Sequence, residues 1–139
     1  MTTNDFKQII MENVFKLANN LPSAYYIGLS TGANLSGEPA SSTGYARVAL
    51  TGKLAYDSTN HKIVNSTSSG EITFDNSSGS SDWFSDSSKA AFYIITNGPT
   101  VGGNTLLAYG QLTTAKSILA GDTAKIAQGA LQISISDLQ

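Results

Sequence analysis

"KAAFYIITN", Lys89 to Asn97, is apolar on both parities of a two-residue period, Phe92 and Ile94 against Tyr93 and Ile95. A strand with one wet face alternates apolar and polar residues, so a run without alternation predicts a central strand covered on both faces. The segments around it read as its neighbours. "GEITFD" (70–75) does alternate, with Ile72 and Phe74 inward and Glu71, Thr73 and Asp75 outward. "SAYYIGLST" (23–31) is rich in aromatic and β-branched residues and runs into the turn-forming "GANLSGEPASSTG", which predicts a strand followed by a long loop. A further strand is expected near 44–51 in "YARVALTG", and "LAYD" pairs with "HKIVN" across "DSTN".

Beyond Asn97, the "GPTVGG" hairpin, favoured by Gly102 and Gly103, leads into "NTLLAYGQLTT". After "AGDT" the last segment alternates through Leu131, Ile133 and Ile135 and is expected to form one long strand, in which Gly129 permits a bulge or a close crossing. Only the beginning of the chain has a helical period. Phe6, Ile9, Ile10, Val14, Leu17 and Leu21 recur at three- and four-residue steps, with Thr3 or Asn4 as N-cap and "NNLP" as the stop, which predicts a helix over about 5–19. Met11 and Phe15 widen its stripe. It either closes the end of a sheet or carries an oligomer contact, for which Phe6, Ile10, Met11 and Phe15 are the candidates. The expected fold class is all-β: an antiparallel β-sandwich or open barrel with one N-terminal α-helix, in a single domain spanning 1–139 with the sandwich over about 23–136.

Composition narrows the function. Of 139 residues 40 % are hydrophobic and only 13 % charged, for a net charge of −2. The cations are scattered, whereas a nucleic-acid partner requires them clustered to displace counterions, so no nucleic acid is expected. Cysteine is absent, which removes disulfides, thiolate chemistry and cysteine-based zinc sites. Asp5, Lys7, Glu12 and Lys16 interrupt the first twenty residues, so neither a signal-peptide core nor a membrane insertion is expected, and synthesis in a bacterial cytoplasm is.

Catalytic constellations are missing. His61 is the sole histidine and sits in a turn-like "STNHKIV"; no nucleophile elbow and no phosphate-cradling loop occurs. Asp82 and Asp86 share a serine-rich loop instead of the facing strands that paired catalytic carboxylates need. "DNSSGSSD" begins like a calcium loop but places serines where ligands belong. The expectation is a protein that is not an enzyme and has no metal or cofactor. The sequons at Asn34, Asn65 and Asn76 read as chance in a chain rich in serine and threonine.

Trp83, the only tryptophan, lies within "SSGSSDWFSDSS" (77–88). Either it is displayed with Asp82 and Asp86 as a ligand or host contact, its ring offered to a sugar face, or it lids the end of the core where the loop meets the following strand. Phe84 beside it and the apolar strand that follows favour the lid. Tyr25, Tyr26 and Tyr45 form an alternative aromatic patch.

The order of these motifs resembles a family of small bacteriophage virion proteins of the tail-fibre type. It comprises an N-terminal helix, "YYIGLST", "GYARVAL", "ITF", a tryptophan before an apolar strand, then "LLAYGQLTT…AGDTAKIAQGALQISIS". The likeness runs from about Tyr25 to Ile135 and is strongest in the last third. Two departures are a longer serine-rich loop before Trp83, and Lys116 and Ser117 where a proline-containing turn is familiar. The resemblance implies a non-enzymatic structural protein of a bacteriophage particle, a tail-fibre or tail-tip module located in the virion. It also implies other virion proteins as partners, a homo-oligomer with a trimer favoured, and contact with a bacterial surface glycan. A capsid decoration or head-fibre protein is one alternative, and a free carbohydrate-binding module is another.

Overall fold

The computed structural model describes residues 1–134. Helix α1 (Asn4–Val14) precedes nine strands: β1 (Tyr26–Ser30), β2 (Val48–Ala49), β3 (Ala55–Asp57), β4 (Lys62–Val64), β5 (Ile72–Asp75), β6 (Ala90–Thr96), β7 (Leu106–Lys116), β8 (Thr123–Ile126) and β9 (Gln132–Ser134). All pairings between these strands are antiparallel. They form a four-stranded sheet β2-β1-β6-β7, a three-stranded sheet β3-β4-β9 and a ribbon β5-β8, with no closed barrel among the described residues. The mainly β, antiparallel fold with one N-terminal helix is therefore the expected class.

β6 is central, paired with β1 from Tyr26↔Thr96 to Ser30↔Phe92 and with β7 on its other side. Ile94 and Ile95 point to opposite faces and both are buried, which accounts for the missing alternation. Ile27, Leu29, Ile95 and Ala108 of the large sheet share one hydrophobic cluster with Ile72 and Phe74 of β5 and with Leu131. The expected hairpins also form: β3 pairs with β4 across 58–61, and β6 with β7 across 97–105. In the second hairpin the left-handed positions are Gly102 and Asn104, not Gly103.

Two boundaries differ from expectation. The helix stops at Val14 instead of near 19. Its start is as read, with the Thr3 hydroxyl capping the Phe6 amide at 3.3 Å. Its end is set by Lys16, which takes a left-handed φ of 58°, and by the Leu17 amide returning to the Glu12 carbonyl at 2.7 Å. The Asn13 side chain then ties to Asn20 at 2.6 Å, so 15–20 form a turn instead of a further helical turn. The single long final strand is in fact two. Gly129 has φ +84° and sits in a turn, with β8 on one side pairing with β5 and β9 on the other pairing with β4. A left-handed turn reverses the chain where a bulge would only bend it, so the two halves join different sheets. Ile135 and residue 136, included in that expectation, lie outside the described residues.

The first three residues close an edge. Thr2 bridges Ala108, the Thr3 amide donates to the Leu107 carbonyl at 2.8 Å, and the Tyr109 amide donates to the Met1 carbonyl at 2.8 Å. This extension covers part of β7, a strand edge that would otherwise offer open ladder groups to another chain.

Candidate functional site

The long loop after β1 is held by a buried ion pair. Glu38 and Arg47 have fully buried side chains, with Arg47 Nη2 2.7 Å from Glu38 Oε2 and Nε 2.9 Å from Oε1. Such a pair is tolerated away from water only when its remaining donors and acceptors are also satisfied. Arg47 Nη1 donates to the Thr96 hydroxyl at 3.1 Å and the Gly98 carbonyl at 2.9 Å, and Nη2 to the Gly103 carbonyl at 3.0 Å. The Gly102 amide donates to Glu38 Oε2 at 3.0 Å. One guanidinium thus joins the loop at Glu38, the end of β6 and the β6–β7 turn.

Tyr45 extends this node into the core. β2 pairs only with Tyr26 and Ile27, which leaves Leu29 on β1 without a strand partner on that side. The Tyr45 hydroxyl replaces one: it accepts from the Leu29 amide at 2.7 Å and faces the Leu29 carbonyl and Glu38 Oε1, each at 3.2 Å. Burial pushes the Tyr45 phenol well above its ordinary pKa; the hydrogen bond to Leu29 opposes this and the Glu38 charge adds to it, so the hydroxyl remains a donor. Gly28 is required beneath the node, because a Cβ there would lie 2.6 Å from Glu38 Oε1 and 2.7 Å from the Tyr45 hydroxyl.

Trp83 belongs to the core, at 9 % exposure. Its ring stands edge-on to Tyr45 at 5.4 Å between centroids, and its indole N–H donates to the Thr43 carbonyl at 3.1 Å. The serine-rich loop before it is pinned by Asn76, whose amide donates to the carbonyls of Ser81 at 2.9 Å and Leu119 at 3.0 Å. Asn65 does the same at the neighbouring loop, donating to Gly70 and Ala127 at 2.9 Å each and accepting from the Leu131 amide at 2.9 Å. Asn65 and Asn76 are 0 % and 2 % exposed, and the Asn34 side-chain Oδ1 accepts from the Gly37 amide at 2.9 Å. The three sequon asparagines are therefore loop organisers.

Of the expected contact residues, Asp82 and Asp86 are exposed on either side of buried Trp83. Asp82 Oδ1 accepts from the Ala120 amide at 2.9 Å. A polar pocket of about 370 Å³ opens between the Leu35–Gly37 turn and the segment 82–88, with Asp82 and Trp83 among the residues of its wall. Asp86 does not line it. Tyr45 is buried and so is not a displayed ring. His61 is exposed in its turn, with Nδ1 2.9 Å from the Tyr56 hydroxyl. Among the described residues no cluster of metal-ligating side chains occurs, and no helix is long and apolar enough to cross a membrane.

The second surface is α1. Phe6 is half-buried against Tyr25, ring centroids 6.2 Å apart, and Ile10 is half-buried. Met11, Val14 and Phe15 are exposed, Phe15 at 65 %, as are Leu17 and Leu21 after the helix, Leu17 at 80 %. Beside Phe6 lies a groove of about 380 Å³ whose walls include Leu54, Tyr56, Ile63 and Ile133, nearly all of it apolar.

A family model described as podophage GP4 fiber I protein gp80 matches residues 2–134. The chain belongs to this family. No curated protein matches it. As a phage fibre protein it is a structural part of the virion and associates with other virion proteins, which agrees with a surface divided between a polar loop end and an apolar helix face.

Sequence reading missed Glu38, Arg47 and both buried asparagines. For Arg47 one signal existed: it shares the parity of Tyr45 in "YARV", and an arginine on the buried side of a strand needs a buried partner. Replacing Arg47 with Met leaves the Glu38 carboxylate buried and unpaired, and the expected loss of stability is about 3–5 kcal/mol by urea denaturation. Adding Glu38→Gln to that variant recovers part of the loss; a single-variant loss below about 1 kcal/mol contradicts the role given to the pair.

Proposed function

We propose that this fibre protein is a non-enzymatic tail module that assembles as a homotrimer through the α1 face and turns its loop end towards the bacterial surface. The single observation that carries this is the segregation of exposed side chains. The large apolar ones cluster on the N-terminal 21 residues and on Tyr56 and Ile63 of the adjoining groove. Serine, threonine and asparagine dominate the loops beyond the other end of β1. A fibre subunit needs both: a dry face to join its neighbours and a hydrated one that stays soluble beside a hydroxyl-rich cell wall. Phe6, Ile10, Met11 and Phe15 form the assembly contact. The charges of α1 support a second copy as occupant. Asp5, Lys7 and Glu12 on the helix and Lys16 just after it balance one another, which suits a like surface better than a strongly charged one.

Tail and head positions are separated by immunogold electron microscopy of the parent particle with antibody to this chain. Label at the tail is expected; label over the head overturns the tail reading, and intact particles without label overturn exposure on the virion. In solution, sedimentation of the full chain is expected to give three times the 14.5 kDa chain mass. Met11→Asp with Phe15→Asp is expected to return it to one, with the melting temperature of the fold kept. A wild-type monomer at all concentrations, or a variant that still sediments as a trimer, contradicts the assembly face.

A further inference from the structure

We propose that the pocket between the Leu35–Gly37 turn and residues 82–88 is a binding site for a neutral pyranose, with Asp82 as its principal hydrogen-bond acceptor. This rests on the reading of the loop end as the surface that meets the host, and it names the ligand class of that surface. The pocket holds about 370 Å³, within the size range of small-ligand sites and enough for one or two sugar rings. It opens from the Thr31 end of β1, whereas Phe6 of α1 packs at Tyr25 before the other end, so trimer assembly through α1 leaves it accessible.

The chemistry of the wall selects the ligand. Thr31, Ser36, Ser85 and Ser88 stand in it as hydroxyl-bearing residues, and buried Pro39, Trp83 and Phe84 as its apolar ones. This is the pairing that a pyranose presents in reverse, with equatorial hydroxyls around an apolar ring face. Two carboxylates reach this region, and they differ in what they have left to offer. Glu38 is consumed by Arg47, Tyr45 and the Gly102 amide. Asp82 is oriented by a single bond from the Ala120 amide to Oδ1, and its side chain is exposed, which leaves Oδ2 to accept from sugar hydroxyls. Among the described residues no lysine, arginine or histidine lines the pocket, so a uronic acid or a phosphorylated sugar would meet Asp82 without a compensating cation.

One ring in a shallow site binds in the range of roughly 1 mM or weaker, and three sites on one trimer raise the effective affinity for a polymeric surface. Trp83 is the sole tryptophan and stands in the wall, so its fluorescence reports occupancy. The full chain is titrated with methyl glucoside, methyl galactoside and N-acetylglucosamine, and with glucuronate as the anionic control. At least one neutral sugar is expected to give a saturable change, with none from glucuronate. Asp82→Asn keeps the acceptor for the Ala120 amide and removes the charge; it is expected to weaken binding about tenfold with an unchanged melting temperature. Ser88→Ala gives a second, smaller loss. The proposal is overturned if no neutral sugar saturates by about 50 mM, if glucuronate binds as well, or if Asp82→Asn binds like the wild type. Gold at the tail together with no sugar binding would overturn this site while leaving the fibre reading in place.

Discussion

The Glu38–Arg47 pair is the constraint on which the loop end depends. It sits in a chain with few charges, and a second ion pair, Lys125–Glu71, is half-exposed on the surface. An exposed pair contributes little, while a fully desolvated one is acceptable only as part of a completed network. Here the network is complete: among the described residues no buried side-chain nitrogen or oxygen lacks a partner. Its members are distant in sequence, nine residues from Glu38 to Arg47 and 56 from Arg47 to Gly103. Closing it fixes the long loop after β1 against the β6–β7 turn, and through Tyr45 it also completes the edge of β1. Both the Trp83 wall and the pocket beside it inherit their positions from that closure.

The serine-rich loops follow the same logic with uncharged groups. Asn65 and Asn76 each stand at the start of a loop, bury a carboxamide and direct it at backbone carbonyls on both sides of a gap. A buried amide costs free energy unless its hydrogen bonds are made, and these are made mostly to backbone, so the loops are tied to the strands without needing apolar side chains of their own. The exterior is thereby left to hydroxyls. This explains how the only tryptophan comes to lie in the most hydrophilic stretch of the chain: its ring belongs to the core that the asparagines hold shut.

Strand centres were legible in the sequence because burial writes a local period. In the two-sided apolar run Ile94 and Ile95 are buried and Phe92 and Tyr93 half-buried, and in the alternating one Ile72 and Phe74 are the buried pair. Boundaries set by single backbone conformations were not legible. Lys16 ends the helix early, and Gly129 divides the final strand between two sheets, yet neither residue type dictates a left-handed φ on its own. The candidate surfaces were legible in part. Met11, Phe15 and Asp82 were named from pattern, whereas Glu38, Arg47, Asn65 and Asn76 act through partners up to 66 residues away, a relation that no local period encodes. The sequons read as chance from composition alone, and the structure adds that the amides of Asn65 and Asn76 are spent inside the fold.

Hydrogen exchange at the Gly102 amide tests the central role of the buried pair most directly. Gly102 is exposed and lies at a hairpin tip, where amides ordinarily exchange at rates close to those of an unfolded chain. Its amide is bonded to the buried Glu38 carboxylate, so exchange through opening of the whole network is predicted, with protection approaching that of Leu29 in the core. Fast exchange of Gly102 in a chain whose β1 and β6 amides remain protected would contradict the account, because the loop end would then be held without the pair.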